Sequence, residues 1–349
     1  MLIRRFVMGV NDSSLRFGVL SKGKLNLITD VPGVKTGHAT LSHGDVQTGV
    51  TAIIPGSGSA FRDKFPAAVT VINGFGKSIG LMQIQELGTL ETPILLTNTF
   101  SVPACAEGLL TYMLDSHSEI GTTTGTVNPV VMECNDSKLN DIRGRHVTSE
   151  DALEALKSAS SVFEEGAVGA GRGMCCYGFK GGIGSASRVI EAGSGIYTVG
   201  SLLLTNFGRK IDLAICGRSL FRDEPDSLRI PDKGSCIMII ATDLPLSCRQ
   251  LARCCRRAQN GLARTGSITT NGSGEVVLAF STVNRVPHSC PDPVRSFSIF
   301  DDNCLDVAFR AVSECVEESV ISSLLHAESV TGRDNNTVLC LNDYLKQNP

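Results

Sequence analysis

The residues that invite a chemical reading sit where polar chain runs into buried strand. Residues 217–234 read GRSLFRDEPDSLRIPDKG, with two prolines and eight charged residues, and break abruptly at Ser235 into the apolar run CIMIIAT. A polar loop of this length is often functional, and here it delivers a serine hydroxyl to the first position of a buried strand. A surface insertion ending at a strand, with Gly234 and Ser235 as an ordinary turn, fits the same pattern. In NGSGEVV, Ser273 and Glu275 lie two residues apart at a strand entrance, so both side chains project to one face. Asn271 and Gly272 before them are a strong turn signal, and a plain hairpin loop is the competing reading. Asn206 closes the apolar run in LLLTNFG. Its amide can donate a hydrogen bond to a tetrahedral oxyanion or shape a turn ahead of Gly208. Glu133 follows PVVM, and a carboxylate at a pocket edge pairs with an ammonium group.

These residues need elements to hold them. Short apolar runs bounded by Gly, Pro or Asn predict strands over residues 50–54, 68–72, 94–96, 130–132, 197–204, 236–241 and 276–280. Helical periodicity predicts helices over 79–87, 103–114, 149–163, 246–263 and 302–325, with Ser149 and Asp302 as N-caps. Strands and helices come in uneven groups rather than strict alternation. That argues against a doubly wound sheet and for a layered α+β architecture.

Composition bounds the rest. The chain has 349 residues, 42% hydrophobic and 19% charged, enough for a sizeable core. Length alone suggests two domains, and a single large layered domain fits equally. A net charge of −3 and a pI near 6.1 give no basic footprint for nucleic acid or an anionic membrane. The arginines of residues 249–257 recur at helical spacing and form a solvated face. The first twenty residues lack a signal-peptide pattern, and no apolar run reaches membrane-spanning length. Thirteen cysteines, an odd number scattered through apolar runs, then read as reduced, buried thiols of a cytoplasmic protein. Cys175–Cys176 and Cys254–Cys255 lack zinc-ligand spacing, so no metal is expected.

Two glycine motifs and the histidines are set aside. Gly169, Gly171 and Gly173 are out of phase for a dinucleotide fingerprint, and the segment reads as a glycine-rich hairpin or a close backbone approach. GFGKS at 74–78 lacks the first glycine of a phosphate loop, because position 71 is Val71. His38 and His146 read as structural histidines.

Across nearly its whole length the chain resembles the DmpA-type L-aminopeptidase/D-esterases and β-peptidyl aminopeptidases. The resemblance is carried by GDVQTGVTAIIPG (44–56), GTLETPILLTNT (88–99), LNDIRGRHVT (139–148) and CYGFKGGIGSASR (176–188). It continues through TNFG (205–208), GSCIMIIATDLPL (234–246), GLARTGS (261–267) and TGRDNNTV (331–338). It implies an αββα sandwich of the DmpA/ornithine acetyltransferase type, two packed sheets with helices outside. It also implies one autoprocessed catalytic domain over 1–349, cut between Gly234 and Ser235 into fragments 1–234 and 235–349. Ser235 is then the nucleophile, and its new α-amine, with a reference pKa of ~7.7–8.0, serves as the base. The side-chain-free Gly234 lets its carbonyl be approached closely. By the same resemblance Ser273 and Glu275 support the amine and hydroxyl, Asn206 donates to the oxyanion, and Glu133 binds the substrate's α-ammonium. Some members carry a tyrosine at or near Asn135 as a second oxyanion donor. This chain has no tyrosine between Tyr112 and Tyr177, and Asn135 is the candidate substitute. The implied substrates are small peptides, amides or esters with a free amino group, handled without metal or organic cofactor by a homo-oligomer. Two alternatives are an acyltransferase of the ornithine acetyltransferase type, which uses threonine where this chain has Ser235, and an uncleaved binding protein of the same fold.

Overall fold

The structure is a computed structural model that describes residues 15–193, 195–221, 234–290 and 292–348. Residues 222–233, the greater part of the polar segment before Gly234, lie outside the described residues.

Among the described residues, nine long strands build two sheets. They are β1 (Lys35–His43), β2 (Val46–Ile54), β3 (Asp63–Gly74), β4 (Ile94–Asn98), β5 (Val130–Cys134), β6 (Gly182–Ala192), β7 (Gly195–Asn206), β8 (Ser235–Thr242) and β9 (Gly274–Ser281). The smaller sheet has the order β1-β2-β4-β5. The larger has the order β3-β9-β8-β7-β6, and the short strands Val286–Pro287 and Thr89–Leu90 both pair with β3. In the larger sheet β8 and β9 run parallel, while the other long-strand pairs are antiparallel.

The strand period of two explains the layering. From β8, Ile237 and Ile239 point between the sheets and pack with Ile53, Leu96, Met132, Leu204 and Leu278. Cys236, Met238 and Ile240 point the other way, toward helices α4 (Cys248–Arg264) and α5 (Asp306–Leu325). A strand buried on both faces reads as an unbroken apolar run, and each such side chain contributes on the order of 2 kcal/mol. On the far side of the smaller sheet, Val50, Leu95 and Val131 pack with Leu109 of α2 (Val102–Ser116) and Ala152 of α3 (Ser149–Lys157). The order of layers is helices, sheet, sheet, helices, as expected.

All seven expected strands are present and all are longer, most of all β3, which runs over Asp63–Gly74 where 68–72 is expected. β1 and β6 are additional, and their sequences, KTGHATLSH and GIGSASRVIEA, hide them. In β6 the small residues are required by α5, because a Cβ on Gly184 would lie 1.9 Å from the Ser319 carbonyl oxygen. Buried Arg188 of the same strand ties it to α5, with Glu314 at 3.1 Å and Glu318 at 2.7 Å. Gly169–Gly171 form a 3-10 turn rather than a hairpin. Of the two readings of this segment close backbone approach holds, since a Cβ on Gly173 would lie 2.3 Å from the Gln47 carbonyl oxygen. A short hairpin follows it, pairing Cys175–Cys176 with Phe179–Lys180 through positive φ at Tyr177 and Gly178.

Helix α1 is Leu81–Leu87 and α4 starts at Cys248, each two residues later than expected, and further differences fall at α3 and ahead of α5. Thr148, not Ser149, caps α3, and its hydroxyl accepts from the Asp151 N–H. That helix ends at Lys157 rather than 163, because Ser160 turns extended and exchanges backbone bonds of 3.0 Å with Thr36. Asp301, not Asp302, caps a 3-10 turn at Asp302–Cys304 ahead of α5. Among the described residues no helix is long and apolar enough to cross a membrane.

Candidate active site

The ends of β7, β8 and β9 meet at one edge of the sandwich. Their register sets Asn206 opposite Ser235, and Ser235 beside Gly274. Ser235 is buried. The Gly274 N–H reaches the Ser235 hydroxyl and the Gly234 carbonyl oxygen, each at 3.3 Å, so one donor spans the hydroxyl and the carbonyl of the peptide before it.

Two glycines make that approach possible. A Cβ on Gly234 would lie 2.3 Å from the Asn206 carbonyl oxygen and 2.4 Å from the Phe207 Cα. On Gly274 it would lie 2.7 Å from the Phe75 carbonyl oxygen and 3.1 Å from the Ser235 hydroxyl. Both are backbone clashes that no side-chain rotation relieves.

Behind the hydroxyl lies a buried polar cluster. The Ser273 hydroxyl donates to Glu275 Oε1 at 3.1 Å, and the Thr269 hydroxyl donates to Glu275 Oε2 at 2.6 Å. Asn73 of β3 holds the preceding turn, its amide donating to the carbonyls of Thr270 and Asn271, both at 3.2 Å, and to that of Ser273. Asn271 and Gly272 do form a turn, but not a hairpin, because residues 266–273 lead from α4 into β9 and no strand precedes them.

Asn206, the last residue of β7, has its amide orientation set by two bonds. Its Oδ1 accepts from the Cys175 N–H at 2.9 Å, and its Nδ2 donates to the Asn135 carbonyl at 2.8 Å. The second bond joins the two sheets. The side chain of Asn135 is exposed and accepts from the Ser137 N–H at 2.9 Å.

Glu133, in β5, is buried beside this edge. Its carboxylate accepts from the Lys77 N–H at 2.8 Å and from the Thr99 hydroxyl. Among the described residues no lysine or arginine pairs with it. The same loop, residues 74–78, sets the Phe75 carbonyl against Gly274, so Glu133 and Ser235 are linked through one short segment. Three residues on, burial pushes Asp136 up to about 7, against the pull of bonds from Thr48 and Asn140. Burial also raises the Cys236 and Cys134 thiols well above their ordinary range, so the cysteine adjacent to Ser235 does not compete as a thiolate.

The fold thus gathers Gly234, Ser235, Ser273, Glu275, Asn206, Asn135 and Glu133 at one edge. Sequence reasoning did not single out Gly274, Thr269, Asn73, Lys77 or Thr99. GFGKS was the available signal for Lys77, although it serves as a wall of this site and not as a phosphate loop. His38 and His146 lie elsewhere. The His38 ring bonds the Thr51 hydroxyl at 2.9 Å and the Glu164 carbonyl at 3.0 Å, and that of His146 bonds Asp141 at 3.1 Å.

A layered sandwich with a serine opening a central strand defines the class. The model of peptidase family S58 matches residues 26–338, and the chain belongs to that family. It is 36% identical to the β-peptidyl aminopeptidase of Sphingosinicella xenopeptidilytica over 341 residues, which cover 90% of this chain and 84% of that protein. Among solved structures, a Pyrococcus horikoshii protein is 49% identical, with a TM-score of 0.91 over 96% of this chain and 97% of that one. The L-aminopeptidase D-Ala-esterase/amidase of Ochrobactrum anthropi, a prototype serine aminopeptidase with a variant Ntn-hydrolase fold, is 33% identical. Its TM-score is 0.89 over 97% of this chain and 96% of that one. The protein is a hydrolase of the serine aminopeptidase type, acting on peptides or amides.

Proposed function

We propose that the chain cuts itself between Gly234 and Ser235, and that the freed Ser235 then hydrolyses small peptides, amides or esters bearing a free amino group. The observation that carries this reading is the Gly274 N–H, which lies 3.3 Å from both the Ser235 hydroxyl and the Gly234 carbonyl oxygen. Attack by Oγ on the Gly234 carbonyl carbon forms an ester as the peptide C–N bond breaks and the nitrogen takes up the proton. Water then splits the ester, leaving a Gly234 carboxylate and a Ser235 with free hydroxyl and α-amine.

In turnover that α-amine takes the hydroxyl proton as Oγ attacks the substrate carbonyl. Ser273 and Glu275 orient the pair, and Asn206 donates to the oxyanion, a contribution of roughly 3 kcal/mol. The Asn135 side chain is the one polar group in this reading that takes the place of the family's second donor. Glu133 receives the substrate's ammonium, because a buried carboxylate with two neutral donors and, among the described residues, no cationic partner keeps an unbalanced charge for it.

The fragments 1–234 and 235–349 remain together, since β8 and β9 of the second lie between β3 and β7 of the first. A cytoplasmic setting rests on thirteen cysteines, all of them free. Assembly of identical chains rests on the family resemblance. Replacing Ser235 with Ala tests the whole reading: processing and turnover should both vanish, and normal hydrolysis by that variant would move the nucleophile elsewhere.

A further inference from the structure

Outside the residues discussed so far, the most unusual charge in the protein is Lys180. It is fully buried at the end of the hairpin strand Phe179–Lys180. Its Nζ donates to the carbonyls of Gly171 at 2.8 Å, Met174 at 2.7 Å and Gly181 at 2.7 Å. All three ammonium protons are spent on backbone, and among the described residues no carboxylate pairs with this lysine. Burying an ammonium is unfavourable, so a lysine here needs a reason beyond filling space. Burial, the largest of several influences, draws the group down to about 7, and the three carbonyl acceptors are the partners that hold its charged form.

The reason lies on the far side of one of those peptides. The Met174 carbonyl and the Cys175 N–H belong to a single peptide unit, and that N–H donates to Asn206 Oδ1 at 2.9 Å. The bond commits the oxygen of the Asn206 amide, so its NH2 must face the site. One of those protons goes to the Asn135 carbonyl at 2.8 Å, and the amide has a second to offer.

We propose that Lys180 is a positioning residue whose ammonium, through the Met174–Cys175 peptide, orients and polarises the Asn206 amide as an oxyanion donor. The inference rests on the reading of Asn206 as that donor. A cation on a carbonyl oxygen draws electron density from the peptide and makes its N–H a stronger donor. Hydrogen-bonded chains pass such polarisation along. The arrangement also answers a conflict within the site. A lysine or arginine standing beside the oxyanion would be free to pair with Glu133 and displace the substrate's ammonium. Holding the cation one layer back, behind two amide groups, supplies positive field to the oxyanion and leaves Glu133 unneutralised.

The test is Lys180→Met, in the parent and in an Asn206→Ala background. Rates are measured on an aminoacyl p-nitroanilide that the parent turns over, and normalised to the amount of liberated 235–349 fragment. In the parent background kcat should fall about tenfold to a hundredfold, part of the loss expected for an oxyanion donor, with KM unchanged within about twofold. In the Asn206→Ala background the same substitution should change kcat by less than about threefold, because the group it acts through is gone. An equal loss in both backgrounds, or parental kcat in Lys180→Met, overturns the proposal. Parental kcat in Asn206→Ala alone withdraws the oxyanion reading itself, and the relay with it. If Lys180→Met does not give folded protein, Cys175→Pro keeps the ammonium and removes the N–H, with Cys175→Ala as the control for loss of the thiol. The proline variant must reproduce the loss of kcat at constant KM, and parental kcat in that variant also overturns the proposal.

Discussion

Adding one methyl group at Gly274 should separate the geometry of the nucleophile from the stability of the fold. In Gly274→Ala the new Cβ would lie 2.7 Å from the Phe75 carbonyl oxygen and 3.1 Å from the Ser235 hydroxyl. Favourable carbon contacts begin near ~3.5 Å, so something must move by somewhat under about 1 Å. β9 is hydrogen-bonded to β8 on one side and β3 on the other. The shift therefore carries either the Phe75 loop or Ser235 with it. Overpacking of this kind costs ~1–3 kcal/mol, which leaves a folded protein. A displacement near ~1 Å at a reacting atom costs roughly a hundredfold in rate, because attack needs the hydroxyl and the carbonyl in one alignment. The assay follows freshly made full-length chain by intact mass, then measures kcat on the processed fraction. Gly125→Ala is the control, since a Cβ there meets nothing within 4 Å. Self-cleavage of Gly274→Ala at the parental rate would refute the reasoning that this close approach positions Ser235.

Other expectations follow from named groups. Glu133→Gln keeps the shape and removes the charge, so KM for a free-amine substrate should rise about tenfold to a hundredfold, the value of a charged hydrogen bond, with kcat little changed. An N-acetylated substrate should lose little more in that variant, and an unchanged KM for the free amine would assign Glu133 to structure. Burial lowers His38 to about 4 from 6.5, so between these values the unfolded chain holds the proton and the folded one does not. Stability should therefore fall as pH drops from about 6.5 toward 4, by ~3 kcal/mol for this group. Urea midpoints across that range should be flatter in His38→Gln, and an identical slope would remove His38 as the cause.

What could be read from the sequence follows from where each strand is buried. β8 and β9 are covered on both faces, so their apolar runs announce them, and the break from charged loop to CIMIIAT marks Ser235. β6 was hidden because α5 lies so close to Gly184 that side chains must shrink, which erases the apolar signal. Ser273 and Glu275 were visible as an i, i+2 pair, and their bond at 3.1 Å bears out a shared face. Asn206 and Glu133 drew attention as polar groups closing apolar runs. Gly274 and Cys175 were not legible, and Lys77 showed only within GFGKS. Each contributes a backbone N–H or an absence of side chain, and residue type says nothing about which backbone group the fold will turn toward the site. Lys180 was legible only as part of a family segment, because its three carbonyl partners come from a loop whose path the sequence does not reveal.

The central claim is that Ser235 becomes a free N-terminus, and intact mass with N-terminal sequencing of purified full-length chain tests it most directly. The account predicts two species in equal amount, residues 1–234 and 235–349, together making the 37.0 kDa of the whole chain plus one water, with the smaller beginning Ser-Cys-Ile-Met-Ile. A single uncleaved chain of 37.0 kDa that hydrolyses an aminoacyl amide would contradict it.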